Sequence, residues 1–161
     1  MDMANPDVSC VVIRLVSLNI GLKDFFEEVR SRNERNVVQL FDPEMIVNGV
    51  HVFGAYLNAR QSFREGSNIS KSPGTEMLLF AAMTRQIGDA IKLVGVKTNE
   101  NALLFATKQG YGGIKKYIKY GKAFSPSKKH KAEAAMRLGI DIKLDLDIAV
   151  LNRMSSVRLS D

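Results

Sequence analysis

Residues 77–83 read Met-Leu-Leu-Phe-Ala-Ala-Met, an apolar run without a break between Glu76 and Thr84. No helical register gives such a run a solvent face. It predicts a short helix buried on both sides, and any fold that accepts this chain must cover that helix all round. Thr84 is placed to cap a second helix, whose apolar positions Ile87, Ala90, Ile91 and Val94 follow the spacing i, i+3, i+4, i+7. Gly95 then supplies the left-handed residue that commonly stops a helix. Arg85 falls in the first turn of this second helix. A cation there faces the partial positive charge of the helix N-terminus, at a cost of a few tenths of a kcal/mol. Two readings of the conflict stand: an external anion compensates it, or Arg85 pairs with Asp89 at i, i+4 for about 0.3 kcal/mol when exposed. The stretch makes poor sense as catalysis and good sense as a binding element.

The flanking pattern builds a sheet around these helices. Residues 9–18 are apolar and β-branched and read as a strand; Gly21 opens a helix to about Arg32 with Leu22, Phe25, Phe26 and Val29 on one face. A second strand spans residues 36–41, and Asp42-Pro43-Glu44 starts a helical turn. Val52, Ala55, Tyr56, Ala59 and Phe63 mark a longer helix ending near Gly66, followed by a loop over residues 67–73. Residues 102–107 read as another strand. Gly110, Gly112 and Gly113 break the pattern before Ile114, Tyr117 and Ile118 form a short helical face. Ser127 caps a helix containing Ala132, Ala135 and Met136, which Gly139 closes, and Asp145 begins a last helix to about Leu159. The expectation is α+β: one compact domain over residues 1–161, with a small, mostly antiparallel sheet of three or four strands covered by several helices.

Charge and chemistry narrow the function. The chain holds 23 Lys and Arg against 17 Asp and Glu, for a net charge of +6, and between Glu100 and Glu133 lie eight lysines and no acid. Such asymmetry favours an anionic partner, either nucleic acid or an acidic protein face, over a membrane surface. The apolar residues 8–20 follow Asp2 and Asp7 and are interrupted by Arg14, so they do not read as a signal peptide, and no segment approaches the roughly 20 apolar residues of a membrane span. A cytoplasmic location is expected. The single Cys10 excludes an internal disulfide framework and reads as a buried, inert thiol. His51 and His130 lie far apart and supply no metal-ligand spacing with that one Cys. No elbow or base marks a Cys10–His51 nucleophile, and Gly110-Tyr111-Gly112-Gly113 lacks the spacing and the terminal Lys-Ser or Lys-Thr of a phosphate loop. No catalytic residue, metal or cofactor is assigned, and the glycine cluster reads as a flexible connection.

Several surfaces remain. Arg60 and Arg64, one helical turn apart, either share a basic face or merely solvate it. Lys71 lies in a loop with Asn68 and Ser70, where amides, a hydroxyl and an ammonium could hold a phosphate or a base edge. His51, at a helix entrance, is either a structural histidine or an RNA contact. The lysine-rich segment interleaves Tyr111, Tyr117, Tyr120 and Phe124, a pattern that suits stacking and backbone neutralisation of single-stranded nucleic acid, although Tyr117 falls on the apolar face. In the last helix Leu146, Val150, Met154 and Val157 form one stripe, while Ile148 and Leu159 lie nearly opposite with Leu151 between. The second stripe either buries within this domain or docks on a partner.

Four pieces, in order, carry a resemblance. They are Ile46, Gly49 and His51 ahead of a helix with Ala55 and Ala59; Ile69-Ser70-Lys71; Glu76-Met77-Leu78-Leu79; and Arg85-Gln86-Ile87 followed by Ala90 and Gly95. Over residues 46–95 the chain resembles the kinase-binding regulatory subunit of the KEOPS complex, the PRPK-binding or CGI protein family of archaea and eukaryotes, in its archaeal type. The resemblance implies a non-catalytic subunit that binds a small atypical protein kinase and meets the remaining KEOPS subunits indirectly. It further implies support for threonylcarbamoyladenosine formation in transfer RNA and contact with that RNA near its single-stranded CCA end. On that basis Arg85, Lys71 and Arg64, assisted by Arg60 and His51, are the expected tRNA contacts, and the stripe of Ile148, Leu151 and Leu159 is the expected kinase contact. The lysine-rich segment after residue 107 does not align with the family. The alternative is an autonomous basic RNA-binding module with no kinase partner, and the third reading is an enzyme using Cys10 or His51.

Overall fold

In the computed structural model, which describes residues 12–30, 36–143 and 145–159, the strand Ala102–Ala106 is buried at all five positions. A strand apolar on both faces must be covered on both, and its neighbours supply that cover. Numbering the strands β1 (Val12–Leu18), β2 (Val38–Phe41), β3 (Ala102–Ala106) and β4 (Ile118–Ala123), the sheet order is β2-β3-β1-β4, with every neighbouring pair antiparallel. Alternation along the strands divides the core. Phe41, Leu103 and Phe105 face a large cluster under α2 (Gly49–Glu65), α3 (Pro73–Ala82), α4 (Ile87–Val94), α6 (Lys128–Arg137) and α7 (Leu146–Leu159). Val16, Leu18, Leu40 and Leu104 face a smaller one closed by Phe25 of α1 (Leu22–Arg30) and Ile114 of α5 (Lys108–Ile114). The fold is α+β. Cys10 lies outside the described residues, as does the expected end of α1 beyond Arg30.

The apolar run forms the helix its composition demands. Ser72 caps α3 through Thr75, Pro73 takes the first turn, and every residue from Glu76 to Ala82 is buried. The chain then reverses through Met83, a non-glycine residue at φ 57°. That reversal displaces the expected second helix. Its N-cap is Gln86 with no side-chain bond, and Thr84 instead accepts from the Gln86 N–H at 3.2 Å. Gly95 is not left-handed, with φ −66°; a Cβ there would come within 2.3 Å of the Ile91 carbonyl oxygen, so close approach is what requires glycine. Only Ala90 and Val94 of the expected apolar face are buried.

The segment after β3 also differs from expectation. Gly110, Gly112 and Gly113 lie inside α5, where a Cβ on Gly110 would meet the Val37 carbonyl oxygen at 2.8 Å, so the glycine lets the helix start against the sheet. A short 3-10 turn, Lys115–Tyr117, then leads into β4 rather than extending a helical face. As an outer strand, β4 shows no alternation of apolar and polar residues, and its pairing with β1 decides its conformation. At the other end of the chain, α7 buries Val150, Met154 and Val157 and lies against α2 at Gly54, where a Cβ would come within 2.6 Å of Met154 and 2.8 Å of Leu151.

Candidate functional site

Glu76 organises the loop over residues 67–72. Its buried carboxylate accepts from the Ile69 N–H at 3.1 and 3.2 Å and from the Ser70 N–H at 2.8 Å. A carboxylate bonded this way fixes the loop without a cation partner. Asn68 Nδ2 donates to the Ser70 carbonyl at 2.9 Å, and Ser70 Oγ donates to the Ser72 carbonyl at 2.8 Å. The amide and hydroxyl expected to meet a ligand are therefore used within the loop. Lys71 is left exposed, at the mouth of a cleft of about 450 Å³ between α1, the outer edge of β2 and the start of α3. Phe26, Val29, Leu78 and Ile91 give that cleft apolar walls, and Arg30, Gln39 and Thr75 add polar groups.

Arg85 lies before α4, not in its first turn. Its Nη1 donates to the Val157 carbonyl oxygen at 3.0 Å, near the C-terminal end of α7. Carbonyls in a last turn lack helical partners and carry the negative end of the helix dipole, so the placement is favourable. The electrostatic conflict read from the sequence disappears, and Arg85 forms no ion pair with Asp89. The side chain stays exposed beside a depression of about 90 Å³ that also touches Ile69 and Glu76, so Arg85 and the 67–72 loop are brought together. Arg64, in the last turn of α2, is exposed, and Arg60, one turn earlier, is partly buried.

His51 is corrected to a structural role. It is fully buried, its Nδ1 accepts from the Val47 N–H at 3.1 Å, and its Nε2 donates to the Ala81 carbonyl at 2.9 Å. The neutral tautomer with the proton on Nε2 satisfies both bonds. Burial lowers its pKa from 6.5 to about 4, with the Ala81 bond opposing in part. No ring atom is offered to RNA.

On α7 the second stripe is open to solvent: Ile148 is 59% exposed and Leu151 39%, with Leu151 also reaching Gly54. The side chain of Leu159 lies outside the described residues. Ile91, expected in the core, is 50% exposed, and Ile87 and Leu93 are exposed too. The signal was present in the sequence: five of the eight residues of α4 are apolar, more than one buried face uses. Three of the four aromatics in the lysine-rich segment are engaged. The Arg14 guanidinium lies 5.7 Å from the Tyr111 ring, Tyr117 packs edge-on against Phe25 at 6.4 Å, and Phe124 meets His130 at 5.8 Å. Tyr120 alone stands clear, 61% exposed.

Among the described residues no helix is long and apolar enough to cross a membrane, and no three His, Cys, Asp or Glu side chains are grouped to hold a metal ion. Comparison with curated proteins returned no match. A family model, that of the kinase binding protein CGI-121, matches residues 20–152, taking in the cleft, the 67–72 loop, the lysine-rich segment and the first half of α7. With most of its length matched by that model, the chain belongs to the CGI-121 family of kinase binding proteins.

Proposed function

We propose that the protein is a non-catalytic subunit of the KEOPS complex. It binds the small atypical protein kinase of that assembly and recruits transfer RNA by the single-stranded CCA end, supporting threonylcarbamoyladenosine formation in the cytoplasm. The match to a kinase binding family over residues 20–152 carries the reading. The exposed apolar residues Ile148 and Leu151 of α7 supply the kinase contact, with Leu159 as the further anchor the sequence stripe proposes; desolvated apolar anchors of this type dominate stable interfaces. Lys71, Arg64 and Arg85, with Arg60 behind them, supply the RNA contact. Arg64 lies in the last turn of α2, Lys71 in the loop before α3 and Arg85 in the turn before α4, all three exposed; a lysine there serves as a point charge and arginines address phosphate oxygens in pairs. His51 has no part in it.

The mechanism is a tether. Holding the RNA end raises the effective concentration of the distant reacting region at a catalytic subunit and contributes no catalytic group itself. The remaining KEOPS subunits are met through the kinase. Two measurements test the reading: co-elution of the purified protein with the kinase of the complex, and fluorescence anisotropy with intact and end-trimmed transfer RNA. A stable kinase complex and preference for the intact end support it. The concentration of lysines between Glu100 and Glu133 favours a second reading, an autonomous RNA-binding module, and RNA binding with no kinase complex would select that one.

A further inference from the structure

The positive charge of this protein has one source. Residues 101–132 hold eight lysines and no acid, whereas the rest of the chain has 15 basic residues against 17 acidic ones. The fold keeps much of that charge together. Lys115 and Lys116 lie in the turn before β4, Lys119 and Lys122 lie in β4, and all four are exposed at the outer edge of the sheet. The described ion pairs include none of them; only Lys129, further along the segment, reaches an acid, Glu133 at 3.9 Å.

Lys116 extends with its Nζ 5.0 Å from the Tyr117 ring, and the register puts Lys122 and Tyr120 beside their partners Leu15 and Ser17 on one sheet face. Over β2 and β3 that face is sealed by helices, yet Leu15 and Ser17 are only partly buried, so the cover thins towards β4. Lys119 is the extra residue of a bulge where the register shifts between Ser17 and Leu18, a device that re-aims a side chain away from the ladder. Lysines also protect an open strand edge from pairing with another chain. Protection needs only a charge or two of either sign. It does not account for the exclusion of acids from the whole segment, nor for an exposed tyrosine in the middle of the patch.

We propose that the β4 edge, with Lys115, Lys116, Lys119 and Lys122, is a second RNA-contacting surface that takes the sugar–phosphate backbone of the base-paired stem next to the single-stranded end. The inference rests on the RNA-recruiting part of the proposed function. Tyr120 is the one clear aromatic of the segment and cannot stack successive bases, which favours phosphate contacts to a stem over a single strand. Point-charge lysines suit contacts that position the RNA without reading its sequence. Three strand spacings, about 14 Å in total, separate this edge from β2, against which the start of α3 packs, so one RNA spans both surfaces.

The test is fluorescence anisotropy across a salt series with three probes: intact transfer RNA, a short single strand ending in CCA, and a stem hairpin with no tail. The variant carries Lys115→Gln, Lys116→Gln, Lys119→Gln and Lys122→Gln, with its melting curve compared to the parent, and a matching four-arginine variant tests rescue by charge. The expected result is a loss of about 10-fold or more on intact RNA and hairpin, a fall of about 3 in the slope of log K against log salt, unchanged binding of the short strand, and recovery with arginine. Unchanged affinity and slope on intact RNA overturn the proposal, as does an equal loss on the short strand, or a loss of kinase binding in place of RNA binding. A parent protein that binds the hairpin but not the short strand sinks end recognition while leaving the β4 surface standing.

Discussion

Arg85 donates to the Val157 carbonyl oxygen at 3.0 Å and so fastens the turn between α3 and α4 to the last described turns of α7. The helix proposed to meet the kinase is thereby held by a residue proposed to meet RNA. Arg85→Ala should lower stability by about 1 kcal/mol, the lower range for a charge-assisted bond because the side chain is exposed. It should also speed amide exchange in the last two turns of α7. Unchanged exchange there would show that the bond does not restrain the helix.

His51 makes stability depend on pH. Its folded pKa of about 4 lies below the unfolded 6.5, so the unfolded chain binds more protons between those values. Its contribution is complete above the unfolded pKa and is lost as pH falls towards the folded one. Between about pH 7.5 and about pH 5 the loss should be about 2 kcal/mol. Urea titrations of the parent and of His51→Gln decide it: the variant should be less stable at the higher pH and nearly flat across the window, and equal slopes for the two proteins would refute the assignment.

What the sequence made legible was whatever composition writes directly. Residues 77–83 have no polar position, so burial on all sides needs no knowledge of neighbours, and the stripe of Val150, Met154 and Val157 declares its face in the same way. The misreadings arise where a distant segment decides. β4 is an edge strand whose conformation comes from pairing with β1, so its own residues carry neither strand alternation nor a helical period. The sequence reading starts the helix two residues early, at Thr84 instead of Gln86, because the reversal at Met83, a non-glycine, leaves no mark in the sequence. His51 and Glu76 owe their roles to backbone groups of other elements, Ala81 for one and Ile69 and Ser70 for the other, and side-chain spacing does not encode such bonds.

Ile148 gives the cleanest test of the kinase-facing stripe. It is 59% exposed, whereas Leu151 also packs at Gly54, so a change at Ile148 alone separates docking from folding. Ile148→Glu should leave stability within about 0.5 kcal/mol of the parent and weaken the kinase complex by about 2 kcal/mol or more, roughly 30-fold. Calorimetric titration of the kinase together with a melting curve checks both. Parent-like affinity with a parent-like melt would move the kinase surface elsewhere, with exposed Ile87 and Ile91 of α4 the next candidates.

Glu76 and Lys71 should separate the geometry of the 67–72 loop from its charge. The Glu76 carboxylate holds two backbone N–H groups that have no other described acceptor, and Gln in its place keeps the shape but loses the charge that strengthens those bonds. Glu76→Gln should therefore cost about 1 to 2 kcal/mol of stability and expose the Ile69 and Ser70 amides to exchange. By loosening the loop it should also weaken binding of a short CCA-ending strand. Lys71→Gln should weaken that binding with no change in stability or amide exchange, since Lys71 is exposed at the surface of the loop. If Glu76→Gln exchanges rapidly at Ile69 and Ser70 yet binds the strand as the parent does, the loop does not position the RNA contact, and Lys71 loses its assigned role.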